Sequence, residues 1–389
     1  MKKKINIAML GKGFMGRAHS NGWLKVAKFF DVPYEPVLKV VFGRDKEDTE
    51  VFAETWGYDE TSSDWHEIIK RDDIDIVDIV APTLLHKDMV VEAAKAGKAI
   101  FCEKPAAINY KQAVEMAEAV RKAGVLNYLN HNYRRIPAIT YARQLIDEGK
   151  LGRIYHWRGA YLQDWIMDPD FPLTWHLKKE YAAGGPLWDL SSHSIDLARY
   201  LVGEIKSVMA MQKTFIQERP LPGKGASTFT AGKQHAAEMG KVEVDDASFI
   251  IAEFENGAMG SIDSSRFAGG RKNYNYFEIY GSKGSLLFDL ERLNELLYLD
   301  LEQPTTEQGY RNIIVTSPAH PYAGAWWGPG HMLGYEHTFV HVMSDYLNAM
   351  KNGAKMEPNL EDGVRIIQVL DAAVKSNEEE RKIYTADIK

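Results

Sequence analysis

Three stretches of this chain combine residue types that can hold a phosphate or move a proton. The first is Gly11-Lys12-Gly13-Phe14-Met15-Gly16, which follows a short β-rich run and opens a helical pattern. In such a turn the first glycine permits the bend and the second clears a side chain from the path of a pyrophosphate. The third lets helix and strand pack closely. Free N–H groups and the positive end of the helix dipole then face the phosphate oxygens. The second stretch is Phe101-Cys102-Glu103-Lys104-Pro105, at the end of another β-rich run. The carboxyl edge of a parallel sheet is where ligands bind, and Lys104 there can hydrogen-bond a hydroxyl or carbonyl oxygen. The alternative is an ordinary surface pair of charges, with Cys102 as buried packing. The third runs from Gly184-Gly185-Pro186-Leu187-Trp188-Asp189 to His193 and Asp196. Asp189 and His193 are four apart, which places them on one face of a helix that includes both. His193 can take a hydroxyl proton near neutral pH, with Asp189 orienting the ring or binding a neighbouring hydroxyl. The plainer reading makes Asp189 or Ser191 a helix N-cap beside a satisfied histidine.

The elements that must position these groups alternate in the first third of the chain. β-rich runs at 5–10, 37–42, 75–80 and 99–102 are separated by helical patterns opening near Met15 and His86. Strands separated by helices imply a parallel sheet with right-handed crossovers. After about residue 130 the pattern becomes strand-rich, with runs at 153–161, 207–215, 247–255, 260–265 and 276–280 and a hairpin signal at Asn256-Gly257. That predicts a large, mainly antiparallel sheet, interrupted by one helix near 192–201. The expected fold is therefore α/β: a Rossmann parallel-sheet domain over 1–130, then an α+β domain over 131–389. A helix at about 360–377 is expected to pack back on the first domain. The Gly/Ala/Ser-rich stretch 223–240 and the Pro/Gly/Trp-rich stretch 318–330 read as mobile excursions.

The second strand of a dinucleotide unit usually ends in an acid that holds the ribose 2′-hydroxyl. Here it ends Phe42-Gly43-Arg44-Asp45. Two readings stand. With Gly43 at the acid position, Arg44 pairs with the 2′-phosphate of NADP; or Arg44 stacks on adenine and the cofactor is NAD. Composition narrows the partners. The 389 residues carry a net charge of -7 and 45% hydrophobic residues, ordinary for a globular chain and wrong for binding nucleic acid. A single cysteine excludes an internal disulfide, and no apolar run has the length of a membrane span. Residues 5–10 have strand length and run into glycines, so they read as a strand rather than a secretion signal, and the cytoplasm is the expected location. No metal is expected, because the histidines lack paired ligand spacing.

Taken together, the glycine motif with His19, Ala81-Pro82-Thr83-Leu84-Leu85-His86, Glu103-Lys104-Pro105, and Asp189 with His193 resemble the Gfo/Idh/MocA oxidoreductases over nearly the whole chain. The middle segments are similar to members acting on levoglucosan: Asn132-Tyr133-Arg134-Arg135, Tyr161-Leu162-Gln163-Asp164-Trp165, Pro172-Leu173-Thr174-Trp175 and Pro318-Ala319-His320-Pro321-Tyr322. The resemblance implies hydride transfer between NAD(P) and a secondary hydroxyl carbon, C3 of levoglucosan or a glucoside. It implies that Lys104 contacts the reacting oxygen, that His193 is the base, and that Asp189 stands beside it, with the sugar held between the two domains. It also implies a cofactor site of Gly11, Gly13, Phe14, Met15, Gly16, Gly43, Arg44, Ala81, Pro82, Thr83, His86, Glu103 and Lys104. Aromatic and amide side chains suit a sugar, and Tyr133, Gln163, Trp165, Trp175 and His320 join Asp189 and His193 as substrate candidates; core packing is the other reading of each tryptophan. Association into a homodimer or homotetramer through the C-terminal sheet is implied as well. Strand 207–215 fits this, since Met209, Met211 and Phe215 share one face and Val208 and Ala210 the other. Other activities of such a scaffold remain open: inositol dehydrogenase, keto-sugar reductase, NAD-retaining glycoside hydrolase, or a non-catalytic sugar sensor.

Overall fold

The computed structural model describes residues 2–222 and 238–389. Its strands, in chain order, are β1 (Lys3–Leu10), β2 (Tyr34–Phe42), β3 (Glu60–Ser62), β4 (Ile76–Ile79), β5 (Ala99–Glu103), β6 (Asn127–Asn130), β7 (Ile154–Leu162), β8 (Ile205–Lys213), β9 (Glu218–Pro220), β10 (Met239–Lys241), β11 (Ala247–Phe254), β12 (Met259–Ser265), β13 (Tyr274–Gly281), β14 (Gly284–Asp289), β15 (Glu295–Asp300), β16 (Arg311–Ile314) and β17 (Ile383–Tyr384). The helices are α1 (Phe14–Phe29), α2 (Lys46–Trp56), α3 (Trp65–Lys70), α4 (His86–Lys95), α5 (Tyr110–Ala123), α6 (Pro137–Asp147), α7 (Lys179–Ala182), α8 (Pro186–Asp189), α9 (Ser191–Leu201), α10 (Tyr335–Asn352) and α11 (Leu360–Glu379).

The chain divides into two compact units, Met1–Ile136 with Thr316–Arg365, and Pro137–Val315 with Ile366–Lys389. Segment 316–365, which the sequence reading assigns to the second domain, thus belongs to the first unit. The division falls inside α11, between Arg365 and Ile366.

In the first unit six strands run in the order β3-β2-β1-β4-β5-β6, all paired in parallel. The order reverses between β1 and β4, which is the switch point where ligands of such sheets bind. The sheet is apolar because both its faces are covered: Ile7, Met9, Val41, Ile76 and Phe101 are buried, and α10 supplies Phe339, Val342, Met343 and Tyr346 to the same core. Segment 318–330 is not the free excursion expected of its Pro and Gly content. Trp326 donates from its indole nitrogen to His341 Nε2 at 2.7 Å, and Tyr322 donates to Asp345 at 2.8 Å. Trp326 also lies 4.2 Å from Phe29, ring to ring. The aromatic residues that break periodicity in this stretch anchor it to α1 and α10.

The second unit is built on a nine-stranded sheet, β16-β15-β14-β13-β7-β12-β11-β8-β17, antiparallel except for the β12–β7 pair. Asn256-Gly257 turns β11 into β12, with Gly257 at φ 85°. One face of β8 is covered: Val208 is buried, and the backbone N–H groups of Ala210 and Gln212 donate to the Ser376 and Asn377 side chains of α11. Burial was expected on the other face too; in the single chain Met209, Met211, Phe215, Phe249, Ile251 and Met259 are exposed there. Register sets Met209 beside Ile251 and Met211 beside Phe249, so the apolar surface is continuous. The excursion expected at 223–240 falls mainly on 223–237, outside the described residues; from Met239 the chain forms β10, paired with β9. Among the described residues no helix is long and apolar enough to cross a membrane.

Candidate active site

In the first unit the glycine turn joins β1 to α1. Gly11 has φ 127°, a conformation costly for any residue with a side chain, and a Cβ there would press on Val80 at 3.0 Å. A Cβ on Gly16 would come within 3.1 Å of the Gly11 carbonyl, so the third glycine is what brings helix and turn together. Gly13 differs: a Cβ there would meet no atom within 4 Å. No packing demands glycine at that position, whereas a pyrophosphate laid against the backbone does. Gly13 is also the N-cap of α1 with no side chain capping it, and Phe14 beside it is exposed. The turn therefore fits a dinucleotide.

At the adenosine end, a Cβ on Gly43 would sit 2.1 Å from Thr49 Oγ1 and 3.0 Å from Lys12 Cε. Thr49 is buried and its hydroxyl donates to the Asp45 carbonyl, so the acid usual at this position has no room beside it. Lys12 pairs with Asp48 at 3.3 Å, and Arg44 is exposed. Ala81 and Thr83 are buried and Pro82 is exposed at the turn after β4. His86 is buried, with its ring nitrogens 2.8 Å from the Ala81 carbonyl and 3.0 Å from the Pro105 carbonyl. Burial drives its pKa below the usual value against the pull of those carbonyls and of Glu103. Its structural effect is to tie the Lys104-Pro105 segment to the turn after β4.

Glu103 does not reach outward. Its Oε1 lies 2.9 Å from His19 Nε2 and 2.6 Å from the Asn130 amide nitrogen, and its Oε2 accepts from the Lys104 backbone N–H at 3.1 Å. His19 Nδ1 faces Asp78 Oδ1 at 2.9 Å, and Asp78 accepts from the Trp23 indole at 2.7 Å. His19, Asp78 and Glu103 are all buried. Burial opposes charge on His19, but hydrogen bonds and attraction from Asp78 and Glu103 prevail and push its pKa up to about 10. Burial would raise Glu103; its bonds to His19 and Asn130 and the nearby Lys104 bring it below the usual carboxylate range. Tyr133 is buried, 6.4 Å from Tyr335 ring to ring, and His320 is partly buried.

In the second unit Gly184-Gly185 admits no side chains: a Cβ on either would come within 1.9 Å of Trp188 or of the Asp245 carbonyl. Asp245 accepts from the N–H groups of Gly185 and Leu187, both at 2.9 Å, and so starts α8. Asp189 ends α8, Leu190 keeps a helical conformation, and His193 lies in the first turn of α9. Neither Asp189 nor Ser191 is a side-chain cap of α9; Ser191 donates instead to Ser264 at 2.7 Å. The Asp189 carboxylate accepts from Arg266 Nη2, and His193 is buried with its ring 5.7 Å from that of Tyr161. Arg266 also lies over Trp165, 5.1 Å from its centroid. Trp165 donates to Gln163 at 2.7 Å, and Gln163 and Tyr161 both donate to Asn273 Oδ1, at 2.9 and 2.8 Å. Trp175 is exposed and stacks on His176 at 3.6 Å.

The sequence candidates thus fall into two groups. Tyr133 and His320 belong with the cofactor residues in the first unit. Gln163, Trp165, Trp175, Asp189 and His193 belong to the second. Sequence reasoning missed Arg266, Asn273, His176 and Asp78. Arg266 and Asn273 have no local motif and are brought to the site by β12 and the turn before β13. Asp78 carried a signal, as the one charged residue inside the apolar run of β4.

A parallel sheet in Rossmann order, a glycine turn clear of packing at Gly13, and a basic side chain beyond β5 together define a dinucleotide-dependent oxidoreductase. The family comparison agrees: residues 5–131 match "Oxidoreductase family, NAD-binding Rossmann fold" and residues 139–287 match "GFO/IDH/MocA C-terminal domain". The chain belongs to the Gfo/Idh/MocA oxidoreductases. It is 39% identical over 376 residues to levoglucosan dehydrogenase of Pseudarthrobacter phenanthrenivorans, covering 96% of each chain. It is 25% identical to myo-inositol 2-dehydrogenase of Thermotoga maritima, covering 99% of each. Among solved structures, a levoglucosan dehydrogenase complex with NADH superimposes with a TM-score of 0.93 at 38% identity, over 98% of this chain and 99% of that one.

Proposed function

We propose that this enzyme is an NAD-dependent dehydrogenase of a pyranose sugar, oxidising a ring hydroxyl, with C3 of levoglucosan or a glucoside as the position. The observation that carries this reading is the cluster in the second unit. There a hydrogen-bonded row of Tyr161, Asn273, Gln163 and Trp165 lies beside Asp189 and His193, linked to them by Arg266 and by the Tyr161 ring. Amide and phenol groups read hydroxyls, and an indole face packs on sugar C–H groups.

NAD would be held by Gly11, Gly13 and Gly16 with Ala81, Pro82 and Thr83 alongside, and would supply the hydride acceptor. His193 accepts the proton of the reacting hydroxyl at a ring nitrogen, and the Lys104 ammonium donates a hydrogen bond to the same oxygen as negative charge develops on it. Asp189, paired with the Arg266 guanidinium, accepts from a neighbouring sugar hydroxyl. Lys12 is already paired with Asp48 and Arg44 is followed by Asp45, which favours NAD over NADP. The continuous apolar face of β8, β11 and β12 supports association with further copies of the chain, the single chain leaving it exposed. The deciding experiment offers levoglucosan, glucosides and inositols with NAD and NADP separately and follows net formation of reduced nicotinamide. Reduction of NAD with a pyranose supports the reading. Sugar cleavage without net reduction, or activity confined to inositols, overturns it.

A further inference from the structure

The buried cluster behind Lys104 has a charge arithmetic of its own. Both nitrogens of His19 face carboxylate oxygens, Nδ1 toward Asp78 at 2.9 Å and Nε2 toward Glu103 at 2.9 Å; the Asn130 amide nitrogen lies 3.1 Å from the same Nε2 but closer, at 2.6 Å, to the Glu103 oxygen to which it donates. A neutral imidazole carries one N–H and would turn a lone pair toward one of those carboxylates, so this geometry calls for both protons. Tyr58, Tyr346 and Cys102 are held protonated, in each case first by burial, and burial keeps His86 neutral. Two carboxylates and one imidazolium leave one negative charge in the cluster; burial would raise the Glu103 carboxyl, and it is lowered first by His19 and then by Lys104, the next residue in sequence.

Resting on the assignment of Lys104 above, we propose that His19 is a positioning residue. As an imidazolium clamped between Asp78 and Glu103, it fixes the carboxylate that holds the Lys104 backbone N–H and leaves one buried negative charge, which the Lys104 ammonium balances. Lys104 is thereby held in place. The clamp joins three elements, α1 through His19, β4 through Asp78 and β5 through Glu103, and Asn130 of β6 completes it at 2.6 Å from Glu103. It thus ties the lysine to four elements of the first unit.

The first test needs no variant. In the full chain labelled with ¹⁵N-histidine, one imidazolium with both nitrogens protonated is expected to persist to about pH 9, where an ordinary histidine of pKa about 6.5 is neutral. A spectrum in which every histidine is neutral at that pH overturns the clamp. The second test is Glu103→Gln, with NAD affinity as the control for an intact first unit. The expected result is a kcat lower by about tenfold to a hundredfold with the KM for sugar little changed. The alkaline limb of the kcat/KM profile is expected to move to lower pH, because His19 has lost one of the two carboxylates that hold its second proton. A wild-type kcat and profile overturns the proposal. Should that variant not fold, the histidine spectrum decides alone. Lys104→Ala separates the two claims: if it turns over normally, the role of Lys104 in the reaction fails, whereas the charge on His19 is still read by the spectrum.

Discussion

In the first unit, charged residues are closed on one another: His19, Asp78 and Glu103 are buried and each carboxylate accepts at least two hydrogen bonds from its neighbours. In the second unit the pairing is lopsided. Arg266 is buried to 1% side-chain exposure while its partner Asp189 keeps 37%. The first arrangement is an internal support, finished without a ligand. The second anchors one end of an ion pair and leaves the carboxylate able to meet a ligand. The difference teaches two ways of fixing a charge, one closed among buried partners and one presented from a buried cation.

The largest expected effect lies at the two groups proposed to act on the substrate oxygen. His193→Ala and Lys104→Ala should each lower kcat by about 10²–10⁴, the usual range for acid–base and electrostatic help, with NAD affinity unchanged in His193→Ala by isothermal titration. Turnover near wild type in either would break the assignment of that residue. The next effect sharpens the contrast between the units. Arg266→Met removes the guanidinium from Asp189. It should lower kcat/KM by about tenfold or more and cost on the order of 1 kcal/mol in denaturant unfolding, because the carboxylate left behind is partly exposed. A loss of stability with unchanged kcat/KM would make Arg266 purely structural.

At the adenosine end, Gly43→Asp should destabilise the protein by about 1–3 kcal/mol through overpacking against Thr49, with partial recovery when combined with Thr49→Ala; thermal melts read this. Stability should also depend on pH through His19. Its folded pKa of about 10 lies above the unfolded value of 6.5, so the folded chain binds more protons between those values. The stabilisation is complete below pH 6.5 and is lost as pH rises toward 10, which denaturant titrations across that window would register as a falling unfolding free energy. The smallest effect belongs to Trp175→Ala. Its exposed ring should leave stability within about 0.5 kcal/mol while raising the KM for sugar.

How much of this was legible depended on whether function sits in local sequence. The glycine turn, the run ending Glu103-Lys104 and the Asp189–His193 spacing are continuous motifs, and strands at 5–10, 99–102 and 247–255 stood out by β-branched or apolar runs. Strands β14 to β16 did not: Leu286-Leu287-Phe288 and Leu296-Leu297-Tyr298-Leu299 are unbroken apolar runs without the alternation of a strand, and the 301–310 connection hides the period. Arg266 and Asn273 reach Asp189 and Gln163 only because sheet register carries them there. Segment 318–330 misled because its Pro and Gly content outweighed two aromatic anchors, Tyr322 and Trp326, whose partners lie on α1 and α10. The choice between internal and outward roles for Glu103 was invisible locally, since both carry the same three letters of motif.

The central claim is that hydride leaves a ring carbon of the sugar for the nicotinamide. The most direct measurement uses levoglucosan deuterated at C3 with NAD and the full-length enzyme, followed by mass spectrometry of the reduced cofactor. The account predicts one deuterium in each NADH formed and a ketone at C3 of the sugar. Unlabelled NADH, or deuterium retained in the sugar product, would contradict it.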